Sequence, residues 1–273
     1  MTLSLPVRQY GSNSPLSETD WQNFFQRGYC VIRALLSEQE RQKTRTALEG
    51  VVAQARQLAS TQDKNFDGIA WSNGAQFVLK TDQKRRLQQL HRVCGCGSVA
   101  PILLQISRHP LLLNAFADIL LSRQFEQLIC QFHPKLPGDD VAFKPHRDIE
   151  FRLHGNSKWV DINHWGSYVV AVMSIDNAGS KNGGLTVVPD SHLNVNLLDI
   201  KPASTDFDPL WKDKAVRLEL AAGDVLLMHP YLVHWSGVNK GNKPRFALLS
   251  GVSSPGANHR NYPGDCTNEI LSV

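Results

Sequence analysis

In the first part of the chain apolar residues recur at helical spacing, whereas from about residue 125 they gather into short runs broken by glycine and proline. Trp21, Phe24 and Phe25 stand at i, i+3 and i+4 and so share one helix face. Ser17 is placed to cap that helix and Gly28 to end it. Residues 29–32 read as a short strand. Ser37 and Glu40 have the spacing of a capping box, and the stripe Ala47, Leu48, Val51, Val52, Ala55 and Leu58 predicts a longer helix to about residue 58. Residues 60–75, polar and carrying Gly68 and Gly74, read as a loop; residues 83–93 and 109–121 read as further helices.

The second part predicts strands at 126–133, 141–143, 168–175, 185–188, 215–220, 225–228, 232–235 and 246–251. Short strands with turn signals between them indicate two antiparallel sheets packed face to face, with the N-terminal helices on the outside of one. The expectation is one folded unit over 1–273, mainly β, divided into a helical annex (1–124), a β core (125–252) and a tail or lid (253–273).

Composition narrows the function. The 273 residues are 42% hydrophobic and 20% charged with a net charge of +4, and no run of five like charges occurs. This disfavours nucleic acid or a membrane surface as the main partner and leaves a small molecule. The most apolar stretch, residues 111–121, is about half of the ~20 residues that a bilayer span needs. Residues 1–11 lack the apolar core of a secretory signal, so a cytoplasmic setting is expected. The five cysteines fit free thiols, and the Cys94-Gly95-Cys96 triplet lacks the second ligand pair of a zinc site.

Two clusters carry candidate chemistry. His146 and Asp148, in FKPHRDIEF, are two apart, and on an extended segment their side chains lie on one face, where both can bind a divalent metal. His229 and His234 follow an apolar strand and are five apart, so only one of them is expected to face inward. Two histidines and one carboxylate leave three positions of an octahedral ion open, which suits Fe(II) activating dioxygen beside a bidentate co-substrate. A zinc hydrolase, an isomerase or a plain metal-binding module of cupin type uses the same residues. Arg245, eleven residues after His234 at the head of an apolar strand, offers a forked cation for a co-substrate carboxylate, and Ser236 offers a hydroxyl beside it.

HRD at 146–148, NGGLTVVPDSH at 182–192 and HPYLVHWSGVN at 229–239 followed by KPRFAL resemble, in order, the phytanoyl-CoA dioxygenase family of Fe(II)- and 2-oxoglutarate-dependent oxygenases. GYCVIRALL at 28–36 resembles the family's entry. The resemblance implies a double-stranded β-helix, or jelly roll. It implies His146, Asp148 and His234 as catalytic iron ligands, with His229 packing beside the site. Arg245 and Ser236 would hold 2-oxoglutarate, Gln131 would contact it, and Lys135 and Asn239 are further positions. Dioxygen would be the second co-substrate. Because Asp148 is present, hydroxylation or a related oxidation is implied, with release of succinate and carbon dioxide. Asp190 replaces the glycine of the family's PGSH turn, and a local change is expected there. The ending Leu271-Ser272-Val273 is not a peroxisomal address, so a substrate other than a long-chain acyl-CoA is expected. Arg147, Trp165 and Trp235, with Arg152, His154 and Lys158, are near enough in sequence to read an anionic or aromatic substrate.

Overall fold

The computed structural model describes residues 5–153, 159–193, 195, 209–258 and 262–273. In chain order its elements are α1 (Glu18–Arg27), β1 (Tyr29–Ile32), α2 (Glu38–Thr61), β2 (Asp67–Ser72), β3 (Ala75–Thr81) and β4 (Leu87–Cys94). Three helices follow, α3 (Cys96–Val99), α4 (Pro101–Ser107) and α5 (Pro110–Leu120), and then β5 (Gln124–Lys135), β6 (Phe143–His146) and α6 (Glu150–Leu153). The remainder is β7 (Tyr168–Ser174), β8 (Leu185–Val187), α7 (Pro209–Lys214), β9 (Val216–Arg217), β10 (Val225–Met228), β11 (His234–Ser236), β12 (Arg245–Ser253) and β13 (Glu269–Ser272).

Helices α1 and α2 start where their capping boxes lie. The Ser17 and Ser37 hydroxyls accept from the amides of Asp20 and Glu40, whose carboxylates accept in return from the serine amides. Gly28 ends α1 in the left-handed region at φ 86°, where a side chain would be strained.

All strand pairings are antiparallel among the described residues. The large sheet runs β1-β10-β7-β12-β5-β4-β3-β2, with β13 also on β5, and the small sheet runs β6-β11-β8-β9. The two faces of the large sheet feed different cores, as the two-residue strand period requires. Val169, Ala171, Met173, Phe246 and Leu248 turn toward the helices, while Tyr168, Val170, Val172, Ala247 and Leu249 turn toward the small sheet. This is the expected jelly roll with helices on one sheet. No helix among the described residues is long and apolar enough to cross a membrane.

Three expectations are corrected. Residues 60–75 are not simply a loop and 83–93 are not a helix: they contribute to the β2-β3-β4 meander, so the stretch 1–124 carries the strands β1–β4 as well as the helices α1–α5. Asn73 (φ 49°) and Gly74 (φ 74°) form the hairpin turn between β2 and β3, in the left-handed conformations that an Asn-Gly pair tolerates. In β4 the pairing register shifts twice, between Arg92 and Leu90 and between Gln89 and Leu87, leaving His91 and Gln88 over as bulges. Those two extra residues place Leu87, Leu90 and Val93 on one face at helix-like intervals in a strand. The third correction is at the C terminus, where 269–272 are tied into the large sheet through Glu269↔Gln127 and the following pairs. Smaller shifts concern 141–143, where the strand lies instead at Phe143–His146, and 215–220, where it is confined to Val216–Arg217 with a bridge at Leu220. Asp190 adopts φ 66°, so the aspartate takes up the left-handed conformation of the turn.

Candidate metal centre and its two cavities

The small sheet assembles the metal-ligand candidates. In its register His234 on β11 lies opposite His146 at the end of β6, so both imidazoles leave the same face, with ring centroids 4.3 Å apart. Asp148 follows β6 by two residues and brings Oδ1 to 3.8 Å from His146 Nε2 and 3.7 Å from His234 Nε2. The three donor atoms lie within 4.8 Å of one another, and no other such group occurs among the described residues. His146 Nδ1 donates to the Lys144 carbonyl at 2.6 Å and His234 Nδ1 to the Leu232 carbonyl at 3.0 Å. A carbonyl only accepts, so each ring is held with its proton on Nδ1 and its Nε2 lone pair toward Asp148. Burial, with His234 nearby, holds His146 down to about 4, which keeps it neutral as a ligand must be. Two oriented imidazoles and one carboxylate on one side of a shared point could hold a divalent ion and leave its far side open.

A second group is built by the large sheet. The register pairs Arg245, first residue of β12, with Lys135, last residue of β5. Both side chains are buried, and neither makes an ion pair among the described residues. The Arg245 guanidinium donates to the Gly183 carbonyl at 2.6 Å, and its Nε is buried without a partner. Lys135 donates to the carbonyls of Val141, at 3.0 Å, and Gly237. Burial, then Arg245, holds Lys135 down to about 7, and burial holds Arg245 down to about 10. Two like charges on one buried rung are unfavourable by themselves and become favourable with an anion between them. Gly183, within the 182–192 motif, has φ 76°, and a Cβ there would lie 2.6 Å from both Lys135 Cδ and the Gly237 carbonyl. Only glycine lets the chain pass that close and still offer its carbonyl to Arg245.

The two groups face a common space. A cavity of about 60 Å³ is lined by Lys135, Arg245, Ser236 and the three metal-ligand candidates. A larger one, of about 150 Å³, is lined by the same His146 and Asp148, together with Arg92, Cys94, Gln131, His133 and an apolar and aromatic wall that includes Phe143, Phe151, Tyr168 and Tyr262. His133 and Phe143, stacked with centroids 4.7 Å apart, belong to both.

The structure therefore brings together His146, Asp148, His234, Ser236 and Arg245, and adds Lys135. Gln131 stands in the larger cavity, accepting from the Cys94 thiol at 3.3 Å and touching His133, and not in the smaller one with Arg245. Asn239 donates to the Lys135 and Lys243 carbonyls and so braces the turn behind Lys135. Of the residues expected near the substrate, Arg147, Trp165 and Trp235 line neither cavity. Arg147 donates to the Tyr231 carbonyl at 3.0 Å and lies over the Trp211 ring. Trp165 packs against Phe25 and lines, with His192, His229 and Tyr231, a separate cavity, so His229 faces away from the triad. Trp235 sits between His234 and Ser236 on β11, and the strand period turns it to the other face. The Arg152 side chain and residues 154 and 158 lie outside the described residues. Sequence reasoning missed Arg92, Cys94 and His133; the signal was the alternation in β4 and β5, obscured in β4 by the bulges.

Comparison with known proteins agrees with this geometry. A family model described as phytanoyl-CoA dioxygenase (PhyH) matches residues 24–247. Among solved structures, the non-haem alpha-ketoglutarate-dependent carbocyclase SnoK from nogalamycin biosynthesis is 17% identical with a TM-score of 0.67, covering 99% of this chain and 97% of that one. EctD from S. alaskensis, solved with bound Fe, is 16% identical with a TM-score of 0.69, covering 94% and 84%. AviO1 from Streptomyces viridochromogenes is 18% identical with a TM-score of 0.62, covering 88% and 95%. At such identities the likeness establishes the shared fold. No curated protein sequence matches the chain.

Proposed function

This chain belongs to the phytanoyl-CoA dioxygenase family, and from that premise we propose that it is a non-haem Fe(II)- and 2-oxoglutarate-dependent oxygenase of a small organic substrate. His146, Asp148 and His234 would hold the iron. Arg245 and Lys135, with the Ser236 hydroxyl, would hold the far carboxylate of 2-oxoglutarate. Iron, 2-oxoglutarate and dioxygen together supply an oxidant able to take hydrogen from an unactivated carbon, with succinate and carbon dioxide released. The chain's own part is to orient and to exclude water. The Lys144 and Leu232 carbonyls aim the two imidazoles, the Arg245–Lys135 rung sets the distance at which the co-substrate reaches the metal, and the buried walls keep solvent out.

The observation that carries this reading is the Arg245–Lys135 pair: two buried cations that form no ion pair among the described residues, in the cavity that also holds all three metal-ligand candidates. A zinc hydrolase has use for the triad and none for that pair. Because Asp148 fills a ligand position, the favoured outcome is hydroxylation or a related oxidation. A carbocyclase and an epimerase among the structural neighbours mark the range of outcomes open to this scaffold. Anaerobic addition of Fe(II) and 2-oxoglutarate is expected to give a weak visible charge-transfer band, and aeration with substrate to give succinate. Stoichiometric tight zinc binding with no such band would overturn the proposal.

A further inference from the structure

We infer that the substrate carries an anionic head group, a carboxylate or a phosphate, bound by Arg92 on the wall of the larger cavity. This rests on the function proposed above and adds the substrate's chemical class. The cavity has one wall at His146 and Asp148 and another on β4 and β5. Val93 and Phe132 are paired across those strands and turn toward the helices, so Arg92 and Cys94 on one strand and Gln131 and His133 on the other turn inward. Arg92 is thus the cation of that wall. Its Nε is buried without a hydrogen-bond partner, and it forms no ion pair among the described residues. The only carboxylate lining the cavity among the described residues is Asp148, which the metal would occupy.

The neighbours of Arg92 do not neutralise it. Its head lies beside the Cys94 thiol, which burial pushes up and so keeps uncharged. His133 is held well below its usual range by burial first and by Arg92 next, so it is a neutral neighbour. An unsatisfied donor on a charged group is costly, and a bound anion removes that cost with a forked pair of hydrogen bonds. 2-Oxoglutarate does not supply this anion, because its carboxylate clamp lies in the smaller cavity, beyond His133 and Phe143. The cavity, of about 150 Å³, has room for a group of at least roughly benzene size. The substrate is thus an organic acid or phosphate ester whose apolar portion rests on Phe143, Phe151, Val170 and Leu249.

The test uses benzoate, phenyl phosphate and neutral benzamide as probes of the full chain carrying Fe(II) and 2-oxoglutarate without oxygen. Perturbation of the charge-transfer band and thermal shift are the readouts. Benzoate or phenyl phosphate is expected to bind at least tenfold tighter than benzamide, and the better of the two identifies the head group. Arg92→Gln is expected to abolish the preference with the dissociation constant for 2-oxoglutarate unchanged, and Arg92→Lys to keep part of it. Equal binding of acid and amide, no saturable binding of either anion, an intact preference in Arg92→Gln, or weakened 2-oxoglutarate binding in that variant each overturns the inference. If the wild type shows no band at all, the proposed function fails instead. Thermal shifts of wild type and Arg92→Gln with benzoate and benzamide, in 2-oxoglutarate without metal, then decide the role of Arg92 independently.

Discussion

Replacing Arg245 by glutamine is expected to stabilise the ligand-free protein while weakening its hold on 2-oxoglutarate. Burial holds the guanidinium down to about 10, and at about 1.4 kcal/mol per pH unit this is roughly 3 kcal/mol against the charged form. The sign follows from the direction. A base whose folded pKa lies below its unfolded one is charged in both states at neutral pH, so this cost to folding is present throughout that range. It is regained only as the pH rises past 10. Asp176 attracts Arg245, yet its oxygens serve Arg45 and the Phe246 amide. Glutamine forfeits the hydrogen bond to Gly183, which is worth about 2 kcal/mol for a charged donor. The net gain is about 1 kcal/mol, or a Tm rise of about 2–4 °C for a chain of this size. Losing a buried charge partner costs a bound carboxylate about 2–5 kcal/mol, so affinity for 2-oxoglutarate should fall on the order of 100-fold. Thermal melts with and without 2-oxoglutarate, and titration of the charge-transfer band, measure the two halves. A variant that melts several degrees lower and binds 2-oxoglutarate normally would show that Arg245 is a structural residue.

Other outcomes follow from the same geometry. Asp148→Ala should lose the charge-transfer band and coupled succinate formation with the Tm of the metal-free protein little changed; full activity would refute the ligand assignment. Lys135, held near 7, is charged below that pH and neutral above it. The dissociation constant for 2-oxoglutarate should therefore be flat below pH 7 and rise up to about tenfold per pH unit above it, with the slope absent in Lys135→Met. A slope that persists in that variant assigns the titration elsewhere. Ala34, exposed and at φ 48°, should gain from Ala34→Gly. Relief of about 1–2 kcal/mol of left-handed strain outweighs about 0.5–1 kcal/mol of added backbone entropy loss, and urea melts should show a small rise in midpoint.

Much of the site is legible in the sequence because it is local. The HxD triplet, the 182–192 glycine motif and the histidine–serine–arginine run each sit on a short stretch whose residue types and spacing are themselves the chemistry. Capping boxes at Ser17 and Ser37, and the apolar stripe of α2, are equally local, and both helices form where those signals lie. The β4 region was not legible for a physical reason. Two bulged residues, Gln88 and His91, turn a strand's alternation into helical intervals, and with β4 read as a helix Arg92 had no reason to face a cavity.

What the sequence determined by itself was the set of donors and their chemical type: two imidazoles, a carboxylate and an arginine, in the order of a known family. The tertiary structure decided which groups share a space. His146 and His234 meet because β6 and β11 are in register, and Arg245 meets Lys135 because β12 and β5 are. Gln131 moves to the larger cavity, and Arg147, Trp165 and Trp235 drop away from the site although their sequence neighbours stay in it. The reason is that strand pairing acts between residues far apart in the chain, and a side chain's direction reverses at every step along a strand. Proximity in sequence therefore supplies the ingredients, while register and parity choose which of them face the metal.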